Sequence, residues 1–262
     1  MQNSYLEFAT QVVAEAGAIA LRYFRSNMAV ENKLVAGQFD PVTQADREVE
    51  AFIRSRITTE FPEHAILGEE QGVTAGTSDC CWVIDPIDGT RAFITGVPAW
   101  GILLGLKRGS ELLCGVMHQP YLKETFIADQ NGSFLLHGGQ RQRLQTSTTV
   151  ELAEAKLYCT HPDLFNDVAD AAACFQAVAQ QCKLQRFGGD CYSYGMLAMG
   201  QIDLVIEGDL KPYDIVPLIP IVDAAGGVIT DWQGGSVSEG GLVLAAANPA
   251  LHSHALHVLQ NS

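Results

Sequence analysis

The chain is poor in positive charge. Its 262 residues hold 16 Lys and Arg against 30 Asp and Glu, a formal net charge of −14. Nucleic acid and anionic membrane both need a positive face on their partner, so neither is expected to bind. No apolar stretch reaches the length of a membrane span. Residues 1–5 show no basic segment followed by an apolar one, so no secretory leader is expected and the protein reads as cytoplasmic. Cys-x-x-Cys pairs are missing, the seven cysteines are odd in number, and Cys80 and Cys81 are adjacent. That excludes a disulfide framework and reads as buried free thiols in a reducing compartment. Internal repeats and low-complexity tracts are also missing.

What is present is an ordinary globular composition, 47% hydrophobic and 18% charged. The length suits one large domain or two fused layers. We read residues 1–262 as one domain with two lobes, 1–148 and 149–262. The border is set by the polar stretch from Thr146 to Glu151.

The most informative segment is Trp82-Val83-Ile84-Asp85-Pro86-Ile87-Asp88-Gly89-Thr90. An apolar run of this kind reads as a buried strand. It breaks at Pro86 and turns at Gly89, so Asp85 and Asp88 can point into one small volume. Carboxylates held that close repel unless a cation compensates them. Hard oxygen ligands suit Mg²⁺, Mn²⁺ or Ca²⁺. Taken alone, Asp-Pro-x-Asp-Gly is an ordinary turn. Gly68-Glu69-Glu70 upstream, with Pro212-Tyr213-Asp214 and Gly226-Gly227 downstream, lift it above that.

Periodicity outlines a mixed α/β chain. Leu6, Ala9, Val13, Ala16, Ala20 and Tyr23 recur at helical spacing, and a polar stretch follows from Lys33 to Asp40. Asp46 opens a second helix through Val49, Phe52, Ile53 and Ile57, stopped by Pro62. Ala65-Ile66-Leu67 is a short strand. Gly101 to Leu106, Leu112 to His118 and Thr125 to Ala128 form a meander, and Phe134-Leu135 with Gly138-Gly139 another hairpin. Beyond the lobe border come a strand at Leu157-Tyr158-Cys159 and a helix from Asp167 to Gln181. A helix from Tyr192 to Met199 and a strand from Ile202 to Ile206 follow. A helix from Ile215 to Ala225, kinked at Pro220, is closed by Gly226-Gly227. Val243-Leu244-Ala245-Ala246 is the last strand, before a short helix. His252, His254 and His257 on that helix read as exposed residues rather than a metal site. Trp82, Trp100 and Trp232 read as core or edge packing.

The motifs resemble those of the inositol monophosphatase superfamily. The matching pieces are Pro41-Val42-Thr43-Gln44-Ala45-Asp46, Gly68-Glu69-Glu70, Asp85-Pro86-Ile87-Asp88-Gly89-Thr90, and Tyr213-Asp214 with Ala225-Gly226-Gly227. They run in the family's order from about Tyr5 to Pro249. The resemblance implies an α/β (α+β layered) fold, the inositol-monophosphatase-like sandwich of alternating helix and sheet layers. It also implies a phosphatase using two or three Mg²⁺ per site, with Mn²⁺ as the other candidate. Glu69, Asp85 and the carbonyl of Ile87 would hold one cation, and Asp85, Asp88 and Asp214 a second. Glu69 and Thr90 would orient a water, and Asp46 matches the position of a weaker third cation. Two cations stabilise the attacking and leaving oxygens of an in-line displacement. Local readings stand beside these: Asp214 is placed to be a helix N-cap, Thr43 and Asp46 to form a helix start, and Glu70 to be solvated.

Gly89, Thr90 and Arg91 open a helix whose free N–H groups suit a phosphate, with no side chain on Gly89 to obstruct it. By the family's pattern Asp190 and Glu207 face the rest of the substrate, and Arg186 faces the phosphate, within or across a subunit boundary. The expected partner is a small-molecule phosphate ester, and the resemblance suggests a homodimer. Arg91-Ala92-Phe93-Ile94-Thr95-Gly96, His118-Gln119-Pro120-Tyr121, Gly188-Gly189-Asp190-Cys191-Tyr192-Ser193-Tyr194-Gly195 and Leu210-Lys211-Pro212-Tyr213-Asp214 resemble the histidinol-phosphate phosphatases. Histidinol carries an amine and an imidazole, both able to be cationic, which suits acidic partners at Asp190 and Glu207. A neutral inositol gains little from them. An inositol-1-phosphate or broad sugar-phosphate phosphatase, and a non-enzymatic adaptor of the same fold, are the alternatives.

Overall fold

The computed structural model describes residues 2–26, 30–32, 41–166 and 168–262. The polar stretch from Lys33 to Asp40 lies outside the described residues.

Helix α1 (Gln2–Ala20) is followed by a two-stranded ribbon of β1 (Val30–Asn32) and β2 (Pro41–Thr43). Helix α2 (Gln44–Glu60) starts two residues before Asp46, because the Thr43 side chain caps it by accepting the N–H of Ala45. Strands β3 (Ala65–Gly68), β4 (Gly72–Thr74) and β5 (Cys80–Asp88) come next, then the short helix α3 (Thr90–Ile94). The meander β6 (Gly101–Arg108), β7 (Glu111–Gln119), β8 (Glu124–Asp129), β9 (Gly132–His137) and β10 (Gln140–Arg143) completes an eight-stranded sheet. Its order is β10-β9-β8-β7-β6-β5-β3-β4, antiparallel except for the β3–β5 pair.

Strand β11 (Lys156–Cys159), helix α4 (Ala171–Ala179), strand β12 (Leu184–Phe187), helix α5 (Tyr192–Ala198) and strand β13 (Leu204–Leu210) follow. Helices α6 (Pro212–Ile215) and α7 (Ile219–Asp223), strands β14 (Val228–Asp231) and β15 (Gly241–Ala246), and helix α8 (Pro249–Gln260) end the chain. The second sheet has the order β12-β11-β13-β15-β14.

Strand alternation sorts the core into three bodies. Ile102, Leu104, Leu106, Val116 and Ile127 join Ala9, Val13, Ala16, Val49, Ile53 and Ile57 of α1 and α2. From the opposite face of the same strands, Leu103, Met117, Phe126 and Ala128 join Leu197 of α5, Ile221 and Val222 of α7, and Val205, Val243 and Ala245 of the second sheet. Leu204, Ile206, Leu244 and Ala246 on the far face of that sheet join Phe175 and Val178 of α4 and Leu251 and Ala255 of α8. Five layers result: helices, sheet, helices, sheet, helices. All three tryptophans are buried. No disulfide links the cysteines, of which Cys81 and Cys182 are half-buried and the rest buried. Among the described residues no helix is long and apolar enough to cross a membrane.

Four expectations need correction. The helix expected over 167–181 spans only Ala171–Ala179, because Asp170 takes a left-handed backbone (φ 62°) that no right-handed helix can pass through. The helix expected over 215–225 is broken in two. Pro220 and Pro217 lack the N–H that a continuous helix needs, and Pro217 is pressed into the sheet. A Cβ on Gly115 would lie 2.0 Å from the Pro217 carbonyl oxygen. The strand expected from Ile202 begins at Leu204 and runs on to Leu210. His252 is 8% exposed, its Nε2 sharing a hydrogen bond with the Thr230 hydroxyl at 2.8 Å, whereas His254 and His257 are bonded elsewhere on the surface.

Candidate active site

Asp85 and Asp88 are three residues apart on β5, and in a regular strand their side chains would leave opposite faces. A bulge changes this. Asp85 pairs with Leu103 and Asp88 with Gly101, so β5 carries one residue more than β6 across that interval. The strand does not stop at Pro86. It continues to Asp88 through the bulge, and the chain turns at Gly89, whose left-handed backbone (φ 80°) suits glycine.

Asp214 arrives from the other half of the chain, in the first turn of α6. Its Oδ2 accepts the N–H of Lys211 at 2.7 Å, so it closes the helix start from inside rather than acting as the N-cap. Carboxylate oxygens of Asp85, Asp88 and Asp214 all lie within 4.8 Å of one another. The halves of the chain are tied here, because Asp88 Oδ2 accepts the N–H of Cys191 at the head of α5 (2.7 Å).

This proximity shows in the proton affinities. Asp85 is 1% exposed. Burial drives its carboxyl well above the usual range, with Glu69, Asp88 and Asp214 adding to the rise. Burial likewise raises Asp88, with Asp214 and Asp190 contributing. Asp214 is pushed up to about 6 by burial, against the opposing bond from Lys211. Glu69 follows β3, and its N–H donates to the carbonyl of Ile84 on β5 (3.2 Å), which sets it beside Asp85. The buried N–H of Ile87 donates to Asp85 (3.0 Å), and the Ile87 carbonyl accepts the hydroxyl of Thr90 (3.1 Å).

Asp46 sits in the first turn of α2. Its Oδ2 accepts from the Thr43 N–H (2.8 Å) and hydroxyl (2.5 Å), while buried Oδ1 has no hydrogen-bond partner among the described residues. Burial pushes its carboxyl up to about 6, with Glu70 adding to the rise. Glu70 is therefore half-buried and electrostatically engaged rather than simply solvated.

Beside the carboxylates lies a cavity of about 190 Å³ lined by Asp88, Asp190, Glu207 and Asp214, among others. Glu207, on β13, accepts the N–H and hydroxyl of Thr160 through Oε1 (2.8 and 2.9 Å). Its Oε2 is buried without a hydrogen-bond partner among the described residues, and burial holds its carboxyl well above the usual range. Asp190 is pushed up to about 6 by burial, partly offset by Arg91. It abuts Gly89, where a Cβ would come within 3.0 Å of the Asp190 Cβ. Arg186 is exposed on β12, at the edge of the second sheet, and is not part of the cavity wall.

Tyr194 and Thr160 also line the cavity; Tyr194 was quoted only within a longer motif, with no role, and Thr160 not at all. The Tyr194 hydroxyl is buried without a hydrogen-bond partner among the described residues, and burial followed by the Glu207 charge raises it well above the usual phenol range. Asp190 precedes α5 with a left-handed backbone (φ 44°), so no helical spacing in the sequence links Tyr194 to it.

The model of the inositol monophosphatase family matches residues 1–262. The chain is 38% identical over 256 residues to the chloroplastic bifunctional phosphatase IMPL2 of Arabidopsis thaliana, covering 94% of this chain and 72% of that protein. It is 31% identical to a histidinol-phosphatase of Chlorobaculum parvum, covering 98% and 96%. A solved inositol monophosphatase from Zymomonas mobilis superposes with a TM-score of 0.86 at 32% identity, covering 98% of each chain.

Proposed function

Since the chain belongs to the inositol monophosphatase family, a family of metal-dependent phosphatases, we propose that it hydrolyses histidinol phosphate to histidinol and phosphate with the help of Mg²⁺. The coarser function, a phosphatase acting on a small phosphate ester, goes with the family.

The donor set fits a hard divalent cation. Three carboxylates converge within 4.8 Å, each with its proton affinity raised by burial, and Asp85 and Asp88 raised further by their acidic neighbours. Glu69, Asp85 and the Ile87 carbonyl would hold one cation. Asp85, Asp88 and Asp214 would hold the second, and Asp46 a third. Bound there, such cations neutralise charge on the transferring phosphoryl group.

The other roles belong to the protein's own groups. N–H groups at the head of α3, from Gly89 to Arg91, receive the phosphate. Thr90 works with Glu69 to orient the attacking water, which requires its hydroxyl to turn from the Ile87 carbonyl it now meets. Asp190 and Glu207 hold the alcohol portion. Arg186 is exposed on an edge strand, so a role for it at the phosphate needs a partner subunit in a homodimer.

One observation carries the choice of substrate. The cavity wall beyond the cation ligands presents three further carboxylates, Asp190, Glu207 and Asp209, of which Asp209 has its own cation, Lys211. A cationic amine or imidazole supplies the counter-charge such a wall needs, and a neutral polyol does not. Phosphate release with Mg²⁺ from histidinol phosphate and from myo-inositol 1-phosphate, at equal concentrations, tests this. A preference for histidinol phosphate of at least about tenfold is expected, since leaving buried polar groups unpaired is what separates substrates that strongly. It should shrink in Glu207→Gln and in Asp190→Asn, and turnover should vanish with EDTA and in Asp88→Asn. Equal or reversed preference would leave an inositol or general sugar-phosphate phosphatase. No turnover of either ester would favour the adaptor reading.

A further inference from the structure

Glu50 and Arg54 lie four residues apart on α2, a spacing that makes an ordinary ion pair on an exposed helix face. Here the pair is sealed, with side chains 0% and 9% exposed and Arg54 Nε 2.7 Å from Glu50 Oε1. Removing both charges from water is costly, and an apolar pair of the same shape would serve the helix as well. Helix stability therefore does not explain it.

What the pair holds is the segment after β3. Glu50 Oε2 accepts the N–H of Glu70 (2.7 Å), and Oε1 accepts the N–H of Gln71 (3.0 Å). Arg54 Nη1 donates to the Thr74 hydroxyl (2.9 Å), and Nη2 to the Gly72 carbonyl. On the other side, Gly68 is pressed so closely to the same carboxylate that a Cβ there would fall on it. Glu69 is thus gripped before and after, while its own N–H is pinned to Ile84.

We infer that Glu50 and Arg54 are positioning residues that set the Glu69 carboxylate beside Asp85 and thereby tune cation affinity. The inference rests on the reading of Glu69 as a cation ligand. The pair touches neither cation nor substrate. It acts as the outer partners of metal ligands do, by fixing where a ligand stands.

The test is Mn²⁺ binding to the purified full chain at neutral pH, with free ion counted by electron paramagnetic resonance. Glu50→Gln keeps the shape but loses an acceptor, and should weaken Mn²⁺ binding about ten- to a hundredfold. Arg54→Lys keeps the charge beside Glu50 but not the reach to both Gly72 and Thr74, and should weaken it less. Ile57→Val, on the same helix and fully buried, should lower the melting temperature and leave Mn²⁺ affinity alone. Wild-type affinity in folded Glu50→Gln overturns the inference, as it does in Arg54→Lys if Glu50→Gln does not fold. An equal loss of affinity in Ile57→Val also overturns it, since any loosening of α2 would then suffice. Wild-type affinity in Glu69→Gln would instead remove the ligand reading, and the inference with it.

Discussion

Glu50 and Asp85 are both closed to solvent, at 0% and 1% exposed, yet their charges meet opposite surroundings. Glu50 faces the Arg54 guanidinium and two backbone N–H groups. Asp85 accepts the N–H of Ile87, and around it stand Glu69, Asp88 and Asp214. In the first place the fold supplies the counter-charge. In the second it gathers like charges and leaves the compensation to something that binds. A buried carboxylate alone does not mark a site, but a buried carboxylate among its own kind does.

The contrast can be broken experimentally. The largest effect is expected for Glu50→Ala, which leaves the Arg54 charge buried and unpaired. Denaturant unfolding of the metal-free protein should show a loss of about 3–5 kcal/mol. A loss no greater than that of a surface substitution would put the two regions in one class.

A smaller effect is expected from pH. Burial raises Asp46, Asp190 and Asp214 to about 6. A carboxyl whose folded value exceeds its unfolded value binds its proton more tightly when folded. Its stabilising contribution is present below about pH 4 and is lost as pH rises through about 6. A divalent cation compensates the buried charge that Asp46 and Asp214 carry above that window. The gain in melting temperature on adding Mg²⁺ should therefore be greater at about pH 7 than at about pH 5. A gain independent of pH would separate the cation from these carboxylates.

The smallest effect sharpens the comparison most. Asp85→Asn keeps an oxygen for the Ile87 N–H and removes one of the repelling charges. In metal-free protein at neutral pH it should raise the melting temperature slightly, while Mg²⁺ no longer adds to it. A marked fall would make the cluster a structural unit like Glu50 and Arg54.

Much of the fold was legible locally. The 3.6-residue spacing of Leu6, Ala9, Val13 and Ala16, and of Val49, Ile53 and Ile57, marks α1 and α2, because those residues line one buried face. The meander showed itself through runs bounded by turn residues. The break between α6 and α7 was misjudged as a kink, because Gly105 and Gly115 receive Pro217 from strands about a hundred residues earlier. Strands β12 and β14 were missed because four residues such as Leu184-Gln185-Arg186-Phe187 carry no usable period. At the site, the candidate carboxylates and the convergence of Asp85 and Asp88 could be read from the sequence, but its cause, expected as a break at Pro86, could not. Their spacing of three points them apart until the bulge against β6 turns them together. Nothing in the i, i+4 spacing of Glu50 and Arg54 tells a sealed pair from a surface one.

By itself, then, the sequence determined the elements whose information is local: periodic faces, turn residues, and an acidic motif dense enough to declare a family. Only the tertiary structure decided which charges are compensated. Compensation depends on groups far apart in the chain, Asp214 against Asp85 and Asp88 against the N–H of Cys191, and on the burial that removes water from between them.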